Sequence, residues 1–125
     1  MIRASIDNNS GIIVVRELTK RYDDRLVLDN VSVAIEKGKT TVIIGRSGCG
    51  KSILLKHLIG LLLPDRGEVR VGGENLAAMN ERQLLQVRRR FGMLFQGAAL
   101  FDSLTVFENI AFPLHRSSKI SAKEI

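Results

Sequence analysis

The stretch GRSGCGKS, residues 45–52, combines glycines, a lysine and a hydroxyl side chain in the spacing G-x-x-x-x-G-K-S. Glycine tolerates positive φ, so successive backbone N–H groups of such a loop can face one concavity. Lys51 adds a mobile positive charge, and the Ser52 hydroxyl is a suitable ligand for Mg²⁺. The combination predicts a cradle for a polyphosphate and its metal ion.

The segments on either side of this loop are predicted to form a strand and a helix that hold it in place. Thr40–Ile44, TTVII, is apolar at every position after two threonines, which predicts a strand buried on both faces, as in a parallel sheet. From Lys51 to about Leu61 the apolar residues recur with a helical period. A helix N-terminus also favours an anion, and strand–loop–helix is the context that this motif requires. The alternative is an ordinary glycine-rich turn between a strand and a helix.

Further elements follow from the same patterns. Strands are predicted at Gly11–Leu18, Leu26–Gly38, Glu68–Val71 and Phe91–Phe95, the second with alternating apolar and polar residues in its latter half. Helices are predicted after two capping pairs: one follows Asn80 with Gln83 and runs to about Arg90, and one starts at Thr105 with Glu108.

The composition is that of a soluble globular chain of at most one domain: 125 residues, 45% hydrophobic and 26% charged. The N-terminus has no signal-peptide pattern, and the longest apolar run, Ile53–Leu63, is too short and too polar to cross a bilayer. We therefore expect a cytoplasmic protein that could lie at the surface of a membrane. Cys49 is the one cysteine, which excludes an internal disulfide.

A net charge of +6 raises the question of nucleic-acid binding. The charges are spread along the chain with few interleaved aromatic residues, and Arg88–Arg90 is the one dense cluster. This pattern favours a solvated basic surface and predicts no nucleic-acid partner. A contact of Arg88–Arg90 with lipid headgroups or nucleic acid stays open as the alternative.

Three features in order resemble the nucleotide-binding domain of an ABC transporter: Tyr22 ahead of the VLDNVS strand, the phosphate loop, and an apolar strand that ends in Gln96. Two longer stretches, GKSILLKHLIGLLLPDRGEV and FGMLFQGAALFDSLTVFENIAFPL, resemble the ATPases of Mla-type phospholipid transporters, which work with MCE-domain proteins. This likeness spans about Gly45–Leu114. It implies an α/β fold, an incomplete P-loop NTPase with an N-terminal antiparallel β portion and the start of a helical subdomain.

The resemblance implies a role for each matching residue. Tyr22 stacks on adenine, and ATP phosphates are held by the loop and the residue after it, namely Gly45, Arg46, Ser47, Gly48, Cys49, Gly50, Lys51, Ser52 and Ile53. Lys51 and Gln96 act in catalysis, and Ser52 and Gln96 bind Mg²⁺. An aromatic face suits a base, and a glutamine orients water without being ionised.

The chain departs from the family pattern after Gln96. The family's LSGGQ-type signature, its Walker B strand with the catalytic glutamate, and its switch histidine do not occur in these 125 residues. We therefore expect MgATP binding with little or no hydrolysis by this chain alone. In the family the Walker B strand lies beside the phosphate-loop strand, so Thr40–Ile44 would here present an unpaired edge. His57 and His115 lack the context of the switch histidine and are interpreted as packing or surface residues.

The resemblance also implies domains and partners. Residues 1–10 are expected to form a disordered tail, 11–104 the N-terminal part of the nucleotide-binding domain, and 105–125 the truncated start of the helical subdomain. An integral membrane permease would dock near residues 97–112, and a second ATPase subunit would complete a homodimer. All five phenylalanines lie in 91–112, where they form either a local core or this docking surface, with Phe101 and Leu104 as the exposed candidates.

Three other functions stay open at this point. The chain could belong to an ABC transporter ATPase for another substrate, to a non-transport ABC-type protein that acts on nucleic acid, or to a nucleotide-binding stub without turnover. Strong salt-dependent binding to DNA or RNA would mark the second, and stoichiometric ATP binding without phosphate release would mark the third.

Overall fold

The computed structural model describes residues 11–97, 99–117 and 121. Its sheet has four antiparallel strands in the order β2-β1-β3-β4, where β1 is Ile13–Tyr22, β2 Arg25–Ile35, β3 Arg66–Val71 and β4 Glu74–Asn75. A two-residue turn joins β1 to β2, and β1 pairs with β3 along its other edge. The strands predicted at Gly11–Leu18, Leu26–Gly38 and Glu68–Val71 are confirmed, although β1 runs four residues further than its apolar pattern.

The core lies between this sheet and the helix α1, Lys51–Leu58. The strands contribute β-branched and leucine side chains at alternate positions, as expected for a sheet with one buried face. The side chains with no more than 2% exposure in this cluster are Val15, Leu18, Leu28, Val31, Leu54, Val69 and Leu76. Burial of each contributes about 1.5–3 kcal/mol relative to exposure, so α1 is held on the sheet mainly by apolar packing.

Helix α1 ends three residues earlier than its apolar period predicts. Gly60 takes φ +69, its N–H donates to the His57 carbonyl at 3.0 Å, and the Leu61 N–H donates to the Lys56 carbonyl at 2.9 Å. This pair of hydrogen bonds is the Schellman motif, in which a left-handed glycine satisfies the last carbonyl groups of a helix. The glycine therefore overrides the apolar period that continues to Leu62.

Both predicted capping boxes are confirmed. Asn80 Oδ1 accepts from the Gln83 N–H at 3.0 Å, and Gln83 Oε1 accepts from the Asn80 N–H at 2.9 Å, ahead of α2, Glu81–Arg88. Thr105 and Glu108 make the reciprocal bonds ahead of α3, Val106–Ser117. The Thr105 backbone N–H and hydroxyl lower the pKa of Glu108 because both donate to its carboxylate.

The prediction of a buried strand at Thr40–Ile44 is wrong. This segment has no regular strand structure, Val42 is 72% exposed and Ile44 87%, and only Ile43 packs against the core. A strand exists only where a neighbour accepts its ladder of hydrogen bonds, and the four paired strands among the described residues are all elsewhere. An apolar sequence alone therefore does not make this segment a strand.

The strand predicted at Phe91–Phe95 is wrong for the same reason. The segment is irregular, and Leu94 is 85% exposed. The interpretation of the phenylalanines as a local core also fails for most of them, because Phe95, Phe101, Phe107 and Phe112 are exposed. Phe91 alone packs against the core cluster.

The chain divides into two compact units, one up to Phe91 and one from Gly92 onward. The first contains the sheet, α1, α2 and a short 3₁₀ turn at Leu76–Ala78; the second contains α3. Among the described residues, no helix has both the length and the apolar character to cross a bilayer. The expected tail, residues 1–10, lies outside the described residues.

Candidate phosphate-binding loop and its supports

The loop at residues 45–52 departs from regular backbone at two glycines. Gly48 has φ +74 and Gly50 φ +105, both in the left-handed region that favours glycine. Gly45 to Gly48 are exposed, whereas Cys49 is half-buried and Gly50 is buried. The chain therefore enters the loop at the surface and leaves it against the core.

Gly50 anchors the loop on β2. A Cβ atom at this position would lie 3.1 Å from the Val27 carbonyl oxygen and 3.1 Å from Leu28 Cδ2. Both its positive φ and this close approach require glycine. The contact joins residues more than 20 positions apart in the chain, so no local sequence pattern predicts it.

Lys51 lies across the loop. Its ammonium donates to the carbonyl oxygens of Gly45 at 2.7 Å and Arg46 at 2.8 Å, and Cys49 Sγ is 3.8 Å from Nζ. The Cys49 N–H donates to the Arg46 carbonyl at 3.3 Å and closes a turn inside the loop. The predicted residues from Gly45 to Lys51 are thus brought together around one positive charge.

Ser52 and Ile53 follow Lys51 in the first turn of α1. Gly50 is the N-cap residue, and no side chain in the described part of the chain caps this end of the helix. The first N–H groups of a helix have no partner within it, so they are available to an anion together with the positive end of the helix dipole. The Ser52 side chain is exposed beside them, and Ile53 is partly buried against the core.

His57 is the buried polar residue of α1, the helix that follows the loop. Its side chain is fully buried, and its Nδ1 donates to the carbonyl oxygen of Ile53 at 2.8 Å. Its Nε2 is buried without a hydrogen-bond partner in the described residues. Burial lowers the pKa of His57 below 6.5, and the nearby Lys20 ammonium adds to the shift, while the Ile53 and Leu63 carbonyls and Asp65 oppose it. His57 is therefore a neutral packing residue, and His115 is exposed, as the sequence indicates.

Tyr22 ends β1 and is 42% exposed. Lys20 Nζ lies 5.7 Å from the centroid of its ring and donates to Asp65 Oδ1 at 2.7 Å and to the Leu63 carbonyl at 3.2 Å. The Lys20 ammonium and the Arg21 N–H, which donates to Asp65 Oδ2 at 2.8 Å, lower the pKa of Asp65. Neither Lys20 nor Asp65 was anticipated from the sequence, because their partnership depends on the pairing of β1 with β3.

Gln96 lies in the second unit, exposed in a turn with Gly97 at φ +92. The same unit contains a loop, residues 101–105, that is organised by Asn109. Asn109 Oδ1 accepts from the Phe101 N–H at 2.9 Å, and its Nδ2 donates to the Phe101, Leu104 and Thr105 carbonyls at 3.0–3.1 Å. Phe101 also packs against Phe112, with ring centroids 4.9 Å apart.

This unit carries a group of exposed apolar side chains, which we call the apolar face: Leu100, Phe101, Val106, Phe107, Ile110, Phe112 and Leu114. Phe101 is exposed as expected, whereas Leu104 is only partly so. Exposed apolar side chains grouped in one short stretch of chain are a candidate surface for contact with another molecule.

A separate cavity of about 520 Å³, lined mostly by polar and charged residues, lies beside the β1–β2 hairpin. Its lining includes Glu17, Arg21, Asp29, Asp65 and Arg66, and none of the site residues predicted from the sequence. It is therefore distinct from the phosphate-binding loop.

Comparison with known families agrees with this geometry. The family model described as ABC transporter matches residues 28–125, which include the loop, α1 and the apolar face. The chain belongs to the ABC transporter family. The expected fold is confirmed by an ABC transporter cassette of known structure, the MJ0796 dimer, which superposes with a TM-score of 0.80 at 31% identity over 90% of this chain and 51% of that one.

Curated ABC relatives name two kinds of substrate. The intermembrane phospholipid transport system ATP-binding protein MlaF of Haemophilus influenzae is 41% identical over 112 residues, which are 90% of this chain and 42% of that protein. The probable ribonucleotide transport ATP-binding protein mkl of Mycobacterium leprae is 40% identical over 113 residues, 90% of this chain and 33% of that protein. The chain thus spans less than half the length of these relatives.

A second MJ0796 structure is a dimeric post-hydrolysis state bound to ADP and phosphate, with a TM-score of 0.78 and 29% identity over 90% of this chain and 51% of that chain. At least one ABC cassette with this fold therefore binds nucleotide. The resemblance to Mla-type ATPases that the sequence indicates is confirmed by the MlaF relatives.

Proposed function

We propose that this chain contributes the ATP-binding loop of a transporter ATPase that energises phospholipid movement across or between bacterial membranes. The observation that carries the proposal is the geometry at residues 45–52. Two left-handed glycines lead into a helix with an uncapped N-terminus, and the Lys51 ammonium lies at 2.7–2.8 Å from loop carbonyls. This arrangement offers N–H donors and one cation to a chain of phosphates.

The residues present fit MgATP. The loop N–H groups from Gly45 to Ile53 would bind phosphate oxygens, and Lys51 would exchange its carbonyl partners for them. The Ser52 hydroxyl and Gln96 would hold Mg²⁺, which neutralises charge on the phosphates when bound. No cluster of three His, Cys, Asp or Glu side chains among the described residues is placed to hold a metal, and Mg²⁺ bound mainly through phosphates and water does not need one.

Two further residues complete the proposed site. The exposed ring of Tyr22 would stack on adenine, and Gln96 would position water for attack on the terminal phosphate. We propose that residues 1–125 supply the MgATP-binding part of the site, and that hydrolysis also needs the family's Walker B glutamate and signature segment. A second ATPase subunit would complete a homodimer and contribute its signature segment to the site.

The apolar face supports a partner in the membrane. We propose that an integral membrane permease docks near residues 97–112 and holds the ATPase at the inner face of the cytoplasmic membrane. From the family resemblance we also propose that residues 11–104 form the nucleotide-binding part and that residues 105–125 begin the helical subdomain.

Nucleotide titration of the natural gene product, at its natural length, tests the site. Lys51→Ala should abolish MgATP binding, whereas Lys37→Ala, a matched change at an exposed lysine, should leave the Kd unchanged. Equal affinities in the two variants would refute the proposed site.

Purification from membranes and a lipid assay test the transport role. Co-purification with an integral membrane protein, together with slower movement of labelled phospholipid between membranes after gene deletion, is expected. Slower ribonucleotide uptake with normal lipid movement would instead favour the substrate named for mkl. Strong salt-dependent DNA or RNA binding without a membrane partner would favour the nucleic-acid alternative.

A further inference from the structure

We propose that Lys20 and Asp65 are positioning residues for the adenine platform that Tyr22 provides; this inference rests on the proposed function. Lys20 and Tyr22 are two positions apart near the end of β1, so their side chains share one face of the strand. Lys20 Nζ lies 5.7 Å from the centre of the Tyr22 ring, within range of a cation–π contact. The ammonium thus lies against one side of the ring, and the Tyr22 residue stays 42% exposed.

Asp65 holds this end of β1 through three consecutive residues. The Asp65 N–H donates to the Thr19 carbonyl at 3.0 Å. Its carboxylate accepts from Lys20 Nζ at 2.7 Å and from the Arg21 N–H at 2.8 Å. Lys20 Nζ makes a second bond to the Leu63 carbonyl at 3.2 Å, and the Lys20 side chain is only 17% exposed. These bonds restrain the strand immediately before Tyr22.

Asp65 and Leu63, which hold Lys20, belong to the chain segment that follows the phosphate-binding loop. Leu63 and Asp65 lie five and seven residues after the end of α1, and the fully buried His57 of that helix is near both Lys20 and Asp65. The segment from Lys51 to Asp65 therefore connects the adenine platform to the phosphate-binding loop and limits how far one can move relative to the other. Pre-organisation of this kind lowers the entropy that a ligand loses when it engages two sites at once.

A comparison of two ligands isolates this role. ATP engages both the platform and the loop, whereas inorganic tripolyphosphate engages the loop alone. We expect Lys20→Met and Asp65→Asn to raise the Kd of MgATP about 3- to 10-fold, the size of one cation–π contact and its alignment. The Kd of magnesium tripolyphosphate should not change, and its retention shows that the loop is still folded. Lys20→Arg, which keeps the cation, should restore ATP affinity.

The proposal is overturned if both ligands weaken equally, which would mean a purely structural role, or if neither changes. Tyr22→Ala distinguishes a failure of the adenine platform from a failure of the positioning role of Lys20 and Asp65. If it leaves the Kd of MgATP unchanged, the adenine platform itself is refuted. If Tyr22→Ala weakens ATP binding and Lys20→Met does not, the positioning role alone is refuted. All proteins are measured at their natural length.

Discussion

Arg88 Nη2 donates to the carbonyl oxygen of Gly60 at 2.6 Å, so the last residue of α2 closes the end of α1. The other terminal nitrogen, Nη1, binds Glu81 Oε1 at 2.6 Å. Gly60 is buried at the point where α1 ends. Arg88, the first residue of the dense basic cluster Arg88–Arg90, therefore makes a structural contact between two helices.

Arg88→Ala should lower the free energy of unfolding by about 1–3 kcal/mol, because it leaves a buried carbonyl without its charged donor. Arg89→Ala, at an exposed neighbour, should change it by no more than about 0.5 kcal/mol. Urea unfolding followed by circular dichroism measures both. Similar losses in the two variants would contradict the assigned contact.

Gly50→Ala should weaken MgATP binding strongly and lower stability. A side chain at φ +105 costs about 1–2 kcal/mol in strain, and its Cβ would also press on the Val27 carbonyl at 3.1 Å, which shifts the loop. Gly38→Ala is the matched control, since Gly38 has φ +75 with open space around it. It should lose stability through strain alone and keep its ATP affinity. Normal ATP affinity in Gly50→Ala would show that the contact with β2 does not shape the loop.

Alkylation of Cys49 should block MgATP binding, and bound ATP should slow the alkylation. The thiol sulfur lies 3.8 Å from Lys51 Nζ inside the loop, so an adduct occupies the space that phosphate oxygens need. Mass spectrometry of maleimide incorporation with and without ATP measures the rate. Cys49 is the one cysteine of the chain, so Cys49→Ser supplies a clean blank. Equal rates at zero and saturating ATP would count against a ligand at this position.

The pH dependence of stability should contain a contribution from His57. Its pKa is lowered by burial from an ordinary value of 6.5, so the unfolded chain binds the proton more readily than the folded one. The free energy of unfolding should therefore fall as the pH drops below 6.5, by up to about 1.4 kcal/mol per pH unit, until the folded pKa is reached. Above 6.5 this contribution should be constant.

His57→Leu should flatten the stability curve in that window, and His115→Leu, at an exposed site, should not. Thermal unfolding in buffers from about pH 7.5 to about pH 5.5 measures the difference. Asp65 acts in a separate window, because its lowered pKa gives stability that is lost only as the pH falls below 3.8. An unchanged slope in His57→Leu would assign the acid sensitivity to another group.

Asn109→Ala should release the 101–105 loop and reduce co-purification with the proposed membrane partner. The side chain makes four hydrogen bonds to the backbone of this loop, which carries Phe101 of the apolar face. ATP affinity should stay normal, since the four described hydrogen bonds of the Asn109 side chain all go to the 101–105 loop. Asp102→Ala, an exposed change in the same loop, is the control. Full retention of the partner by Asn109→Ala would argue against docking at this face.

Local signals in the sequence predicted most of the elements that need no distant partner. Asn80 with Gln83 and Thr105 with Glu108 each bond to residues three positions away, so the sequence alone specifies both capping boxes. The motif also located the loop and the start of α1 at Lys51. By contrast, Thr40–Ile44 needs a neighbouring strand, and its apolar composition carries no information on whether one is present.

The contacts that hold the site in place could not be predicted from local sequence patterns, because they too depend on distant segments. The contact of Gly50 with Val27 and Leu28, and the bonds of Asp65 to β1, join segments that are distant in the chain. His57 could be placed on the buried side of α1 only once the sheet that covers it was known. The roles of Tyr22 and Gln96 remain predictions from resemblance.

The contact between Gly50 and β2 also has a consequence for biosynthesis. β1 and β2 are joined by two residues, and a hairpin of this kind closes in about 1–10 μs. A ribosome adds about 5–20 residues per second, so the 15 residues from Glu36 to Gly50 take on the order of a second. The surface formed by Val27 and Leu28 can therefore be in place before the glycine that packs on it emerges from the ribosome. The loop that is proposed to hold ATP would then acquire its shape on a template made earlier in the same chain.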